Sequence, residues 1–248
     1  MKNYTLEICV DTLESAQAAI RGGATRLELC ANLLIGGTSP SPKLLSQIRE
    51  LSDIPIRAML RSRSGDFCYT DSEFDIMRFE LERFRDAGAN GVVFGILLPD
   101  GSLDMERMKV ICEDAASMDT TLHRAFDVTK DPFAVLAQAR ELGINTILTS
   151  GQQVNAWDGR ELIARLVKEA DDTIEILVGA GISANNIATI HRETGCVAFH
   201  LSGKEVVDSS MIFRHPEIKM GPVSSSEFEY WQTKEENVAA ARKVLEQL

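Results

Sequence analysis

The sequence predicts a single-domain (β/α)8 barrel, or TIM barrel, and the first observation behind this fold class is a recurring junction. An amphipathic helical pattern ends at a glycine, a few residues follow, and an apolar strand begins, as in AAIRGGATRLELC, RFRDAGANGVVFGIL, AQARELGINTILTSG and IHRETGCVAFHLSG. Glycine just past a helix end adopts the left-handed conformation that turns the chain back toward a sheet. The second observation is the alternation of strands with helices, which implies parallel strands joined by right-handed crossovers. The third is that eight such units fit a chain of 248 residues, as a closed barrel requires.

Each predicted strand is a short apolar run bounded by turn residues. In chain order the strands are 4–10, 25–30, 54–61, 91–97, 120–126, 146–151, 175–181 and 196–202. Amphipathic helices separate them, for example over 71–88 and over 131–143, where Asp131 is the predicted N-cap and Pro132 the first helical residue. No linker divides the chain, so one domain is expected over 1–248, ending in an irregular loop over 203–232 and a final helix. A doubly wound open sheet is the alternative fold.

Composition narrows the range of partners. Acidic residues outnumber basic ones by 37 to 26, and the net charge of −11 disfavours binding to nucleic acid or to anionic membranes. The amino-terminal residues lack the apolar core of a signal peptide, and no apolar run is long enough to span a bilayer. The five cysteines form no CxxC motif, which suits a reducing compartment. We therefore expect a cytoplasmic protein.

Alternation along the strands turns several ionisable side chains into the barrel lumen. Apolar residues at every second position face the helices, so the residues between them face inward. The residues predicted to face inward are Glu7, Cys9, Glu28, Cys30, Arg57, Met59, Arg61, His123, His200 and Ser202. Asp127 is expected at the rim, and Arg124 is expected to point outward, to pair with a carboxylate on a helix and to matter for folding.

Two interpretations of this polar lumen are open. In the first, Glu7 and Glu28 form internal ion pairs with Arg57 and Arg61 that fix the strand register. In the second, the polar groups line a pocket at the carboxyl ends of the strands, where such barrels hold their sites. A catalytic pocket would use either glutamate as base, a histidine as acid or orienting group, and an arginine as anion clamp. The candidate catalytic residues are Glu7, Glu28, Arg61, His123, Asp127 and His200.

The loops that follow strands six, seven and eight are rich in glycine and in small polar residues. Backbone N–H groups in such loops hold phosphate in many barrels. The residues predicted to contribute to an anion site are Ser150, Gly151, Gln152, Gly179, Gly181 and Gly203.

Three thiols suggest a metal site at the same end of the barrel. Cys9 and Cys30 face inward on adjacent strands, and Cys68 follows strand three. Thiolates are ligands that Cu(I) prefers, although a free cysteine is also a common buried residue without a metal. Cys112 and Cys196 are expected to be structural.

The motifs LEIC, RLELCA, GGTSPS, SRSGDFCYTDSEF, LHRAFD, LTSGQQ, GAGI and FHLSG occur in order from residue 6 to about residue 203. Because it carries these motifs in this order, the chain resembles the CutC family of copper homeostasis proteins. The resemblance implies a cytoplasmic barrel, often dimeric, that is associated with copper tolerance or trafficking, and it implies no particular reaction. Some members have two adjacent cysteines in the first strand, where this chain has Cys9 followed by Val10. The family motif residues here are Glu7, Cys9, Glu28, Cys30, Arg61, Asp66, Cys68, His123, Arg124, Asp127, Ser150, Gly151, Gln152, Gln153 and His200.

Two functional hypotheses follow from these residues. The first is a copper homeostasis protein that binds copper through Cys9, Cys30 and Cys68. The second is an enzyme that acts on a small anionic or phosphorylated metabolite by carboxylate and histidine acid–base chemistry. In either case a homodimer is expected, and the aromatic-containing segment over 204–232 is predicted to cover the barrel mouth or to form the dimer contact.

Overall fold

Eight short strands close into a parallel barrel in chain order, in a computed structural model that describes residues 4–215, 217–218, 220 and 226–248. Pairing of the first strand with the eighth closes the sheet, with Thr5 beside Ala198 and Glu7 beside His200. This closure confirms the barrel and excludes the doubly wound open sheet. The strands are β1 Thr5–Val10, β2 Arg26–Leu29, β3 Ile56–Met59, β4 Gly91–Phe94, β5 Asp119–Leu122, β6 Thr146–Thr149, β7 Glu175–Val178 and β8 Ala198–Leu201.

Helices cover the outside of the barrel and begin where their capping residues predict. Asp131 accepts hydrogen bonds from the N–H groups of Phe133 and Ala134, and Pro132 is the first residue of the helix, as expected. Among the described helices, none is long and apolar enough to cross a membrane. The helices are α1 Leu13–Arg21, α2 Pro42–Leu51, α3 Asp71–Asp86, α4 Met105–Ala115, α5 Pro132–Glu141, α6 Arg160–Ala170, α7 Ile187–Thr194 and α8 Glu235–Leu245.

The strands bury apolar side chains against the helices and polar side chains in the lumen. Leu6, Ile8 and Val10 of β1 are fully buried in the hydrophobic core. On the lumenal side, Arg57 donates hydrogen bonds to the hydroxyls of Thr121 and Thr146, at 2.7 and 2.8 Å. These two contacts join β3 to β5 and β6 across the lumen, toward the amino-terminal ends of the strands.

The prediction of an irregular loop over 203–232 is wrong at both ends of that segment. Lys204–Asp208 forms β9 and Glu229–Thr233 forms β10, and the two strands pair as an antiparallel ribbon. Valine, tyrosine and tryptophan favour extended backbone, and Val206 lies opposite Trp231 in the ribbon. The two prolines of the predicted loop, Pro216 and Pro222, lie outside the described residues.

Candidate functional site

A cavity of about 480 Å³ opens at the carboxyl ends of the barrel strands, and we call it the mouth cavity. Its volume lies in the range of small-molecule sites. It brings together four of the six candidate catalytic residues and leaves out Glu7 and Asp127. The ionisable and thiol side chains that line it are Cys9, Glu28, Arg61, His123, Arg124, His200 and Lys204.

Cys9, Glu28 and His200 form a compact cluster on one wall of the mouth cavity. They project from three adjacent strands, β1, β2 and β8, and Cys9 lies beside Glu28 in the strand register. The Sγ atom, a carboxylate oxygen and an imidazole nitrogen all lie within 4.8 Å of one another. Strand positions are rigid, so the geometry of these three groups is fixed by the barrel.

Glu7 lies behind His200 and orients its ring. The Nδ1 atom of His200 is 2.8 Å from Glu7 Oε1, which leaves Nε2 on the side of Glu28, 3.8 Å from Oε2. The other carboxylate oxygen of Glu7 accepts a hydrogen bond from Arg26. Burial alone would raise the pKa of Glu7, but Arg26 and His200 outweigh burial and lower this pKa to about 2.

Glu28 is the member of the cluster with an unfilled hydrogen-bonding capacity. Burial, together with the negative charge of Glu7, raises the pKa of its carboxyl group to about 7. Its Oε1 atom is buried and accepts no hydrogen bond from any described residue. A buried oxygen in this state is suited to a ligand that supplies a positive charge or a proton.

The predicted ion pairs of the two glutamates with Arg57 and Arg61 do not form. Arg57 pairs instead with Asp119, at 3.2 Å, lower in the barrel. Arg26 is the cation of Glu7, and it was not among the residues predicted to face inward. The same alternation that places Glu28 in the lumen also places Arg26 there, two residues earlier, so the signal was present.

The three candidate copper thiols do not lie together. Cys30 is buried against Met59 and Val93, where burial raises the pKa of its thiol, and its Sγ is 3.6 Å from the carbonyl oxygen of Val10. Cys68 lines a separate surface depression. In the described part of the chain, Cys9 is the one thiol of the three within a group of three ligating side chains.

His123 lines the mouth cavity, and its ring has a buried N–H group without a partner among the described residues. Its Nδ1 atom accepts a hydrogen bond from the backbone N–H of Ala125 at 3.2 Å, so the proton of the neutral ring is on Nε2. Nε2 is buried and has no partner in the described residues. Burial, together with the smaller effect of the positive charge of Arg61, lowers the pKa of His123 to about 3.

We expect the imidazole of His123 to stay neutral down to about pH 4. Its native pKa of about 3 lies below the ordinary value of 6.5, so the unfolded chain takes up a proton on acidification while the native protein does not. Stability is therefore lost as the pH falls below 6.5, and His123 contributes a loss of about 2 kcal/mol between pH 6.5 and pH 5. Histidine NMR titration measures the pKa, and urea unfolding of His123→Asn should show a smaller loss. A native midpoint near 6.5 would contradict this assignment.

The outward orientation predicted for Arg124 is wrong. The strand ends at Leu122, and His123 caps a 3-10 turn over Arg124–Val128, so strand alternation no longer applies at Arg124. Arg124 lines the mouth cavity. Its guanidinium group donates hydrogen bonds to Asp127 Oδ2 and to Ser150 Oγ, each at 2.8 Å. Its carboxylate partner comes from its own turn and not from a helix face.

Asp127 occupies the amides that were predicted to hold an anion. Its buried carboxylate accepts hydrogen bonds from the backbone N–H groups of Ser150 and Gln152, at 3.0 and 3.1 Å. Gly151 donates its N–H to the hydroxyl of Thr149. The loop after β6 therefore binds a carboxylate of the protein itself.

Of the other three glycines of the predicted anion site, Gly181 lines the mouth cavity, whereas Gly179 and Gly203 do not. Gly181 follows Ala180, and both residues have left-handed backbone, with φ of +77° and +72°. Such backbone is costly for alanine and is often found at functional sites. Gly179 donates its N–H to Thr149, and Gly203 accepts a hydrogen bond from Lys234, so these two residues support the loops.

The fold and the site define a (β/α)8-barrel protein whose candidate site lies where the carboxyl ends of the strands meet. The chain belongs to the CutC family, as the motifs predicted, because the family model matches residues 4–205. A CutC family protein of Parabacteroides distasonis is 45% identical over 95% of this chain and 98% of its own length. A CutC family protein of Vibrio vulnificus is 42% identical over 91% of each chain. The solved CutC protein of Streptococcus agalactiae, named for copper homeostasis, has a TM-score of 0.77 and 29% identity over 81% of this chain and 99% of its own.

Proposed function

We propose that the protein takes part in copper homeostasis and binds a copper ion at the cluster of Cys9, Glu28 and His200. The observation that supports this proposal is the convergence of three potential ligand atoms within 4.8 Å at the wall of an open cavity. Thiolate and imidazole groups are ligands that copper accepts. The family name and the name of the Streptococcus agalactiae relative favour copper over other metals that such a cluster could bind.

The surroundings of the cluster suit a metal ion. A carboxylate behind a ligating imidazole fixes the ring and its tautomer in many metal sites, and Glu7 has this position relative to His200. The buried Oε1 atom of Glu28 has no partner among the described residues, so a cation could satisfy it. The proposed ligand set differs from the three thiols predicted from the sequence, since only Cys9 is common to both.

Competition titration of Cu(I) against a chromophoric chelator, under reducing conditions, tests this set of ligands. We expect Cys9→Ser and His200→Gln each to weaken copper binding about 100-fold, because each removes one of three ligands. Cys112→Ser is the matched control, since Cys112 lies on α4 outside the cluster and should leave the affinity unchanged. Equal affinity of Cys9→Ser and the parent protein, or loss only in a Cys30→Ser/Cys68→Ser variant, would contradict the proposed ligands.

An enzyme acting on a small anionic or phosphorylated metabolite is the second candidate function. The observation that favours it is a pair of titratable groups at one cavity with opposite pKa shifts, Glu28 raised and His123 lowered. Such an enzyme would first need to bind an anion beside Arg61.

We further propose that the protein is a cytoplasmic homodimer. All five cysteines are free, as expected in a reducing compartment. Ile212 and Phe213 follow the ribbon strand β9 and are largely exposed, and a second copy of the chain could cover them.

A further inference from the structure

We infer that His123, Arg61 and Phe67 form a binding site for the carboxylate group of a small organic acid. This wall of the mouth cavity is distinct from the Cys9–Glu28–His200 cluster. The inference names a ligand class for the second candidate function, and it holds whether or not the cluster binds a metal.

His123 supplies the first donor. Because Nδ1 already accepts the N–H of Ala125, the proton on Nε2 has no described partner, although the atom is buried. A buried unpaired N–H is costly and is normally matched by an oxygen. The backbone of Gly95 packs closely on the His123 ring, because a Cβ atom built on Gly95 would lie only 2.8 Å from Nδ1 of His123. The ring therefore has little room to rotate.

Arg61 supplies the second donor and the positive charge. Its terminal nitrogens donate to three backbone carbonyl groups, those of Gly36, Gly37 and Gly65, at 2.8–3.4 Å. These contacts hold the guanidinium group in place without neutralising it. Its Nε atom has no hydrogen-bond partner among the described residues, and no ion pair joins this residue, which is 7% exposed, to a described carboxylate. A buried cation without an anion favours an anionic ligand.

Phe67 connects the two donors. Its ring centroid is 4.8 Å from the centroid of the His123 ring and 5.0 Å from the guanidinium carbon of Arg61. Because both groups contact one ring and all three residues line the mouth cavity, they belong to one wall.

The balance of charge and donors favours a carboxylate. Two N–H groups and one unmatched positive charge fit one negative charge shared by two oxygens. The other cations of the cavity have partners, since Arg124 pairs with Asp127 and the Lys204 ammonium group lies over the Trp231 ring. A phosphate dianion would need further donors, and Asp127 already occupies those of the loop after β6.

The rest of the cavity suits the body of such an acid. Met59, Leu148 and Ile182 line it with apolar surface. A short aliphatic or aromatic acid could therefore bury its hydrocarbon part there while its carboxylate meets His123 and Arg61.

Histidine NMR of the full chain, without added metal, tests the inference directly. The chain has four histidines, so His123→Asn assigns the Nε2–H resonance of His123. Acetate, butyrate and benzoate are the probes, with acetamide and inorganic phosphate as comparison ligands at matched ionic strength. Affinities for such small ligands are in the millimolar range, so the titration extends to about 50 mM.

We expect saturable shifts of the His123 Nε2–H resonance with carboxylates and none with acetamide or phosphate. Calorimetry should show about tenfold weaker carboxylate binding by His123→Asn. Asparagine can keep the hydrogen bond to Ala125, but it has no group in the position of the Nε2–H of His123. Cys112→Ser, on α4 outside the mouth cavity, should bind carboxylates like the parent chain, and the absence of added metal keeps this test separate from the copper proposal. The inference is overturned if no carboxylate shifts the resonance, if phosphate binds more tightly, or if His123→Asn binds carboxylates normally.

Discussion

Replacing Asp127 with asparagine is expected to destabilise the protein by about 3 to 5 kcal/mol. The carboxylate accepts hydrogen bonds from the N–H groups of Ser150 and Gln152 and from the hydroxyls of Thr149 and Ser150. It also pairs with Arg124. An asparagine keeps one acceptor oxygen, but its NH2 group replaces the other oxygen and is itself a donor. Some of the N–H and hydroxyl groups that donate to Asp127 would therefore lose their acceptor. The backbone of this loop packs closely on Gly159, because a Cβ atom built on Gly151 would lie only 2.3 Å from the carbonyl oxygen of Gly159. The loop therefore has little room to rearrange around the asparagine.

Urea unfolding of the parent and of Asp127→Asn measures this effect. Asp100→Asn is the matched control, because Asp100 also accepts a backbone N–H, from Ser102, and pairs with Lys130, but at an exposed position. Water replaces the lost contacts there, so the control should lose much less stability. Equally small losses in the two variants would show that the carboxylate of Asp127 does not hold the loop after β6 in place.

Much of the barrel followed from two periodic features of the sequence. Glycine after four of the helical patterns marked the junctions there, and alternation within strands placed Glu28 and His200 on the lumenal side. Both features are local, since they depend on backbone conformation and on which face of a strand is buried. The family was also identifiable, because its motifs lie on successive strand ends in the same order.

Features that depend on distances across the barrel were not predictable in this way. The stagger of strands around the barrel sets the height of each lumenal residue, and sequence alternation does not report height. Arg57 therefore meets Asp119 low in the lumen, while Arg26 meets Glu7. The prediction for Arg124 failed for a local reason, because a 3-10 turn replaced the strand one residue after Leu122. Asp127 was identified as a polar candidate, but its contacts with the next loop are tertiary.

Replacing Arg26 with methionine is expected to cost about 3 to 5 kcal/mol of folding stability, since it leaves Glu7 buried without its cation. Glu7 is fully buried, and Arg26 also donates to Glu175 at 2.8 Å. Methionine has a comparable length, so lost packing contributes little. The wild-type contribution is present at neutral pH and is lost as the pH falls from 4.5 toward 2, because Arg26 and His200 lower the pKa of Glu7. The difference in stability between the parent and Arg26→Met should therefore shrink on acidification.

The double variant Arg26→Met/Glu7→Gln separates the cost of an unpaired charge from the cost of losing the arginine. A neutral amide in place of Glu7 needs no cation, so the double variant should recover part of the stability lost by Arg26→Met. Arg21→Met is the control for loss of an ion pair in general, because Arg21 pairs with Glu235 at 2.6 Å on the exposed surface and should matter little. If Arg26→Met were as mild as this control, Glu7 would not depend on its cation. Glu7 holds Nδ1 of His200, so it could then orient the imidazole for a metal without help from Arg26.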